Sequence, residues 1–188
     1  METDNQLIKK VQAGDNSAFE TLVCRYDRHV LNIASSFRNS EDDAKDIYQE
    51  VFLRVYKGLN NFQFRSEFAT WLFRITTNVC ITFDNKKKRY QIDSIDREQY
   101  TDSTETLAES IPGEQLSDQK ILQSETKYKI DTAVETLPAR QKMAFTLKYY
   151  QGFKIKEIAE MMNSSDGTIK RYLFTATNKL RDLLKDLH

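Results

Sequence analysis

The scarcest residues constrain this chain most: 188 residues contain only five glycines and two prolines. Between these breakers, apolar residues recur at i, i+3, i+4 and i+7, the spacing of one helix face rather than the alternation of a strand. Sheet proteins need many turns, and a chain this poor in turn residues is expected to be all-α. Leu7, Ile8 and Val11 fit a short helix, and Gly14, Asp15, Asn16 and Ser17 stop it and start another carrying Leu22, Tyr26, Val30, Ile33 and Phe37. Ser40 is placed to cap a third helix over residues 41–59, whose first turn holds Glu41, Asp42 and Asp43 where the helix dipole favours acids.

Residues 62–89 hold the single tryptophan, Trp71, and five of the eleven phenylalanines, and they end in Lys86, Lys87, Lys88 and Arg89. A helix from about Glu67 places Phe68, Trp71, Leu72, Ile75, Val79 and Phe83 on one core-facing stripe, with Phe73 and Arg74 outside it. The loop before it, Asn60, Asn61, Phe62, Gln63, Phe64, Arg65 and Ser66, puts two aromatics beside a cation. Such a group suits stacking on unpaired bases and contact with phosphate.

The formal net charge is zero, but charge is sorted into blocks. Residues 91–118 carry eight acids and one base, whereas residues 138–188 carry ten Lys and Arg against five Asp and Glu. Residues 91–120 are too rich in Ser, Thr, Asp and Glu to bury a core of their own, and read as a flexible acidic linker. The expected organisation is therefore two helical domains, residues 1–90 and 121–188. In the second, Pro138 opens a helix running to Tyr150, and Gly152 closes it. A short helix from Ile155 to Met162, a polar turn of Asn163, Ser164 and Ser165, and a last helix from Asp166 follow. This is the layout of a helix-turn-helix. Ile169, Leu173, Ala176 and Leu180 form the packing stripe of its second helix. The opposite face offers Thr168, Lys170, Arg171, Tyr172, Phe174 and Thr175, cations and aromatics that can meet phosphates and base edges. An ordinary helical hairpin with a solvated face is the competing reading.

Catalysis finds little footing. Only His29 and His188 are present, neither Cys24 nor Cys80 sits in a nucleophile or ligand motif, and no glycine-rich phosphate loop exists. No enzyme activity, metal or cofactor is expected, and both cysteines read as small buried residues. No apolar run reaches the roughly 18 residues of a membrane span, and the start METDNQLIKK lacks a signal-peptide core, so a cytoplasmic protein is expected.

Three stretches resemble the extracytoplasmic-function sigma factors of the sigma-70 family: DDAKDIYQEVFLRVYKGL, FRSEFATWLFRITTN and LPARQKMAFTLKYYQGFKIKEIAEMMNSSDGTIKRYL. The resemblance covers nearly the whole chain and implies a promoter-specificity subunit of bacterial RNA polymerase. It implies that Asp43, Asp46, Gln49, Glu50, Phe52 and Arg54 contact the β′ clamp, with the β flap as a further polymerase surface. It assigns −10 melting and base capture to residues 60–66 with Phe73, Arg74, Thr77 and Asn78, flanking phosphates falling to Lys86, Lys87, Lys88 and Arg89. It assigns −35 reading to Ser165, Thr168, Lys170, Arg171, Tyr172, Phe174 and Thr175, and implies an inhibitory anti-sigma partner. The chain departs from the family at Tyr172, Thr175 and Thr177, where arginines are common, and at Phe64, where glycine is common. A stand-alone helix-turn-helix regulator and a sigma mimic that sequesters an inhibitor stay open as alternatives.

Overall fold

The computed structural model describes residues 2–38, 40–98 and 118–185; side chains from 91 to 125 and at 127 lie outside what it describes. Most of the acidic segment, residues 99–117, is therefore outside the described residues. Every regular element among the described residues is a helix, and these residues contain no strand. The order is α1 (Asp4–Gln12), α2 (Asn16–Phe37), α3 (Glu41–Leu59), α4 (Phe68–Glu98), α5 (Asp118–Glu135), α6 (Ala139–Phe145), α7 (Ile155–Met161) and α8 (Asp166–Leu183).

Local chemistry sets most of the helix starts. Thr3 and Gln6 form a reciprocal capping box on α1, with Gln6 accepting from the Thr3 N–H at 2.8 Å. Asp15 takes the N–H groups of Ser17 and Ala18 at α2. Ser40 and Ser165 cap α3 and α8 at the expected positions. Pro138 stands one residue ahead of α6, where its missing N–H leaves no intrahelical bond unmade.

Two boundaries differ from the sequence reading. α4 runs past Arg89 to Glu98, because nothing between them breaks a helix. The helix expected from Pro138 to Tyr150 is instead α6 followed by a π-helical turn, Thr146–Tyr150, closed by the Gln151 N–H on the Thr146 carbonyl at 3.1 Å. Gly152 then leaves at φ +75°, a left-handed conformation that glycine adopts without penalty.

In the N-terminal half, α2 packs on α1 and α3, and α3 on α4. Leu22, Ile33, Phe37, Ile47, Leu59 and Leu72 are each sealed from solvent there. At about 1.5–3 kcal/mol per fully buried large apolar side chain, this stripe system is the main source of stability. In the C-terminal half, α6 and α7 pack on α8, and a satellite cluster joins Ala133, Val134 and Leu137 to Ala176 and Leu180. The larger core does not stop at the boundary between halves. It runs continuously from Leu7 to Leu173, because α4 packs on α6 and α7 while α2 meets the π-helical turn.

Candidate nucleic-acid interface

The loop before α4 is fixed from below. The Gln12 side chain donates to the carbonyls of Leu59 and Phe62 at 3.0 and 3.1 Å, satisfying the frayed end of α3. Phe62 is buried, with Trp71 5.1 Å and Phe64 5.2 Å from its ring. The two loop aromatics therefore do different work. Phe62 anchors the loop, and Phe64 stays exposed at its rim among the exposed Asn60, Asn61, Gln63 and Arg65, with Ser66 half-buried. Phe64 has φ +55°, which accounts for glycine being favoured at such a place and marks the phenylalanine as a strained choice.

The face of α4 that the sequence reading turned outward is covered. Phe73 is buried among Tyr26, His29 and Phe153, the last at 5.9 Å. Thr77 is fully buried and donates to the Met161 carbonyl at 2.8 Å, while Arg74 Nε donates to the Glu160 carbonyl at 3.3 Å. Both acceptors belong to the last turn of α7, where carbonyls lack the full i+4 ladder; the Glu160 carbonyl also takes the Asn163 N–H at 3.3 Å. A hydroxyl and a cation at that negative end are well matched to it. Asn78 remains exposed. Helical spacing missed this second packing face because it is built on one phenylalanine and two polar residues rather than on an apolar stripe.

The basic run at the end of the old stripe divides as well. Lys86 and Arg89 are exposed, Lys87 pairs with Asp43 at 2.7 Å, and Lys88 lies 2.9 Å from Asp84 and donates to the Leu137 carbonyl at 2.9 Å. Asp84 is fully buried: its Oδ1 takes Arg38 at 2.9 Å and Lys142 at 3.5 Å, and its Oδ2 meets Lys88 without hydrogen-bond alignment. Lys142, also buried, reaches Glu135 at 2.7 Å and sits 4.5 Å over the Phe37 ring. Arg38 reaches Asp43 at 2.8 Å and Glu135 at 3.2 Å. Burial pulls the Lys142 ammonium below the usual lysine range, partly offset by Glu135 and Asp84. Burial also opposes the ionised Asp43 carboxyl, yet Lys87 and Arg38 outweigh it and hold that group below its ordinary value. No sequence motif announced this cluster.

On α3, Asp46, Gln49 and Arg54 are exposed, and Glu50 is half-buried in a 2.7 Å pair with Arg54. Asp43 is held in the charge cluster, and Phe52 is buried against Tyr48 at 4.8 Å. Exposed Leu53 and Tyr56 extend the same surface with apolar area that the sequence reading did not single out.

On α8 the expected division holds for most positions. Ile169, Leu173, Ala176 and Leu180 are buried, whereas Lys170, Arg171, Phe174 and Thr175 share the solvent face, Phe174 at 68% exposure. Tyr172 is half-buried against the core. Ser165 and Thr168 are engaged with each other at the helix start, at 2.9 Å. The cysteines part company: Cys80 is buried, its thiol pushed up to about 12 by desolvation, while Cys24 is exposed, contrary to the sequence reading. Among the described residues no group of His, Cys, Asp and Glu has the make-up of a metal site, and no helix is long and apolar enough to cross a membrane.

Comparison with known proteins adds an independent line. Residues 22–90 match the family model for Sigma-70 region 2, and residues 127–180 that for Sigma-70, region 4. The RNA polymerase sigma-H factor of Pseudomonas aeruginosa is 30% identical over 192 residues, covering 99% of this chain and 96% of the relative. The ECF RNA polymerase sigma-E factor of Escherichia coli is 32% identical, covering 97% of each. Among solved structures, CnrH in complex with the cytosolic domain of CnrY aligns with a TM-score of 0.63 at 20% identity, over 98% of this chain and 99% of that one. The sigma factor RpoE in complex with the anti-sigma factor NepR from Bartonella quintana aligns with a TM-score of 0.58 at 23% identity, over 89% and 96%. These structural likenesses describe a shared fold.

Proposed function

We propose that this chain, which belongs to the sigma-70 family and to its extracytoplasmic-function class, divides promoter recognition between residues 1–90 and residues 121–188. It directs core RNA polymerase to promoters. In our reading α3 docks on the β′ clamp through Asp46, Gln49, Glu50 and Arg54, with Leu53 and Tyr56 supplying apolar contact. Phe64, at the rim of a loop anchored by Phe62, stacks on an extruded −10 base, and the exposed amides around it read that base's edge. Arg74, Asn78, Lys86 and Arg89, with Lys87 and Lys88 once released from their acids, hold the flanking backbone. Phe73 and Thr77 join them only when α7 has moved away. The −35 duplex is read by Lys170, Arg171, Phe174 and Thr175. Two weak grips on one promoter add up through effective concentration. The chain carries out no chemistry itself and works in the cytoplasm beside polymerase. The sigma factor RpoE of Bartonella quintana, solved in complex with the anti-sigma factor NepR, supports an anti-sigma partner here too.

The observation that carries this reading is the two-faced α8, with one side sealed into the core and the other presenting two cations and an exposed phenylalanine. The test is run-off transcription with core polymerase on a genomic promoter library, comparing wild type with a K170A/R171A/F174A variant. At about 1–3 kcal/mol per base contact, the triple change should abolish −35-dependent initiation while core binding persists. Unchanged initiation would overturn this assignment in favour of a sequestering mimic. Tight sequence-specific duplex binding without polymerase would instead favour the stand-alone regulator.

A further inference from the structure

A loop that holds a strained residue needs its position set from outside. Phe64 sits at φ +55°, a conformation that persists only where the surroundings over-determine it. The Phe62 N–H reaches the Leu59 carbonyl at 3.1 Å, and the Trp71 N–H reaches the Glu67 carbonyl at 3.2 Å. Between these two bonds, residues 63–66 exchange no backbone hydrogen bond with any described residue. We infer that Gln12 is the positioning residue of this loop, and that α1 is the strut that sets where Phe64 meets an extruded base.

Two sets of contacts from α1 bracket the loop. At its start the Gln12 amide donates to the Leu59 carbonyl at 3.0 Å and to the Phe62 carbonyl at 3.1 Å. At its far end Asp4 takes the Tyr26 hydroxyl and the Arg25 guanidinium, and the Tyr26 ring meets Phe68 edge-on at 5.4 Å. Phe68 is the first residue of α4. The chain therefore leaves α3 and enters α4 at points tied to the two ends of one nine-residue helix. That helix is itself seated, since Leu7, Ile8 and Val11 are buried.

The chemistry asks for N–H donors at one particular reach. A side-chain amide nitrogen carries two donors, one for each carbonyl. Leucine at position 12 would offer none, asparagine would stop one methylene short, and glutamate would set a carboxylate against two carbonyl oxygens. Lysine alone among these keeps several donors at a similar reach. Without the tie, the Phe62 carbonyl is free to move, and with it the buried ring that rests 5.1 Å from Trp71. Phe64, whose ring lies 5.2 Å from Phe62, shifts together with that anchor. Recognition that depends on preset geometry is sensitive to displacements of about 1 Å.

The role in base capture rests on the sigma reading above; the tie between Gln12 and the loop does not. The test uses the full chain with core polymerase on the library promoter that gives most run-off product, each −10 position carrying every base in turn. Wild type should favour one base at the captured position, and Q12L should flatten that preference about tenfold. Core affinity and −35 dependence, set by surfaces elsewhere, should hold within about twofold. Q12K should restore most of the preference, because it returns donors to the carbonyls, whereas a mere packing defect would not be mended by a lysine. In the free chain, acrylamide quenching of the single tryptophan, Trp71, should rise in Q12L and fall back in Q12K. If Q12L loses its far-UV helix signal, the shorter but polar Q12N takes its place. A folded Q12L or Q12N with wild-type base preference, or a Q12K no better than Q12L, would overturn the inference. A chain that shows the Trp71 response but supports no core-dependent initiation would leave the strut standing and sink the sigma reading instead.

Discussion

Asp84→Ala should cost the fold far more than Lys142→Met, although each removes one charge from the same buried cluster. The wild-type cluster sets Arg38, Lys87, Lys88 and Lys142 against Asp43, Asp84 and Glu135, four cations to three acids. Asp84→Ala leaves four cations to two acids, with a dehydrated Lys142 held by Glu135 alone. Removing one partner of a buried ion pair costs about 3–5 kcal/mol. Lys142→Met keeps the side-chain stem against Phe37, removes the dehydrated ammonium, and leaves three cations to three acids. Arg38 and Lys88 still face Asp84, and Arg38 still faces Glu135, so no buried acid is left unpaired and the change should cost about 1 kcal/mol or less. Urea unfolding at pH 7, followed by far-UV circular dichroism and Trp71 fluorescence, measures both. With a slope of about 2 kcal/mol per molar, Asp84→Ala should lower the midpoint by about 1.5–2.5 M and Lys142→Met by less than about 0.5 M. An Asp84→Ala midpoint within about 0.5 M of wild type, or equal losses for the two variants, would refute the charge accounting.

The two cysteines should differ in reactivity, iodoacetamide adding once to the native chain at Cys24 and twice after unfolding, as read by mass. Burial holds the Cys80 thiol at about 12 against an ordinary 9.0, so the unfolded chain loses that proton first. The stability this gives is present below pH 9 and is lost as pH rises toward 12; Tyr150, also pushed up to about 12, adds to the loss above its ordinary 10.0, and Lys142, shifted downward, opposes it. Cys80→Ala should flatten the fall of Tm above pH 9. Phe64→Gly relieves a left-handed φ worth about 1–2 kcal/mol but adds roughly 0.5–1 kcal/mol of unfolded-chain entropy, so Tm should barely move while permanganate reactivity of −10 thymines falls. Gly58→Ala would set a Cβ 3.1 Å from the Trp71 ring, so the usual helix gain of about 0.8–1.0 kcal/mol should vanish and the indole emission shift. A full gain with an unchanged spectrum would show that the ring yields freely.

Much of the fold was legible because its causes are local. Caps at Ser40 and Ser165, the stop at Gly14 and the apolar stripes of α2, α3 and α8 depend on residues within a turn or two of each other. The exposed face of α8 was legible for the same reason, since one stripe packed inward leaves the other outward. The proposed −10 group was only half legible: loop composition pointed to residues 60–66, but nothing local separated the anchor Phe62 from the exposed Phe64.

The sequence by itself thus determined an all-helical chain, its element order and a helix-turn-helix at its end, because helix periodicity and capping are short-range. Only the tertiary structure decided that α4 has a second buried face and that seven charged side chains meet in one place. Arg38 and Glu135 are 97 residues apart, and Thr77 and Met161 are 84 apart. A polar residue's partner at that distance is chosen by which helix end is brought to it, and a lone lysine such as Lys142 reads as a solvated cation until three helices close around it.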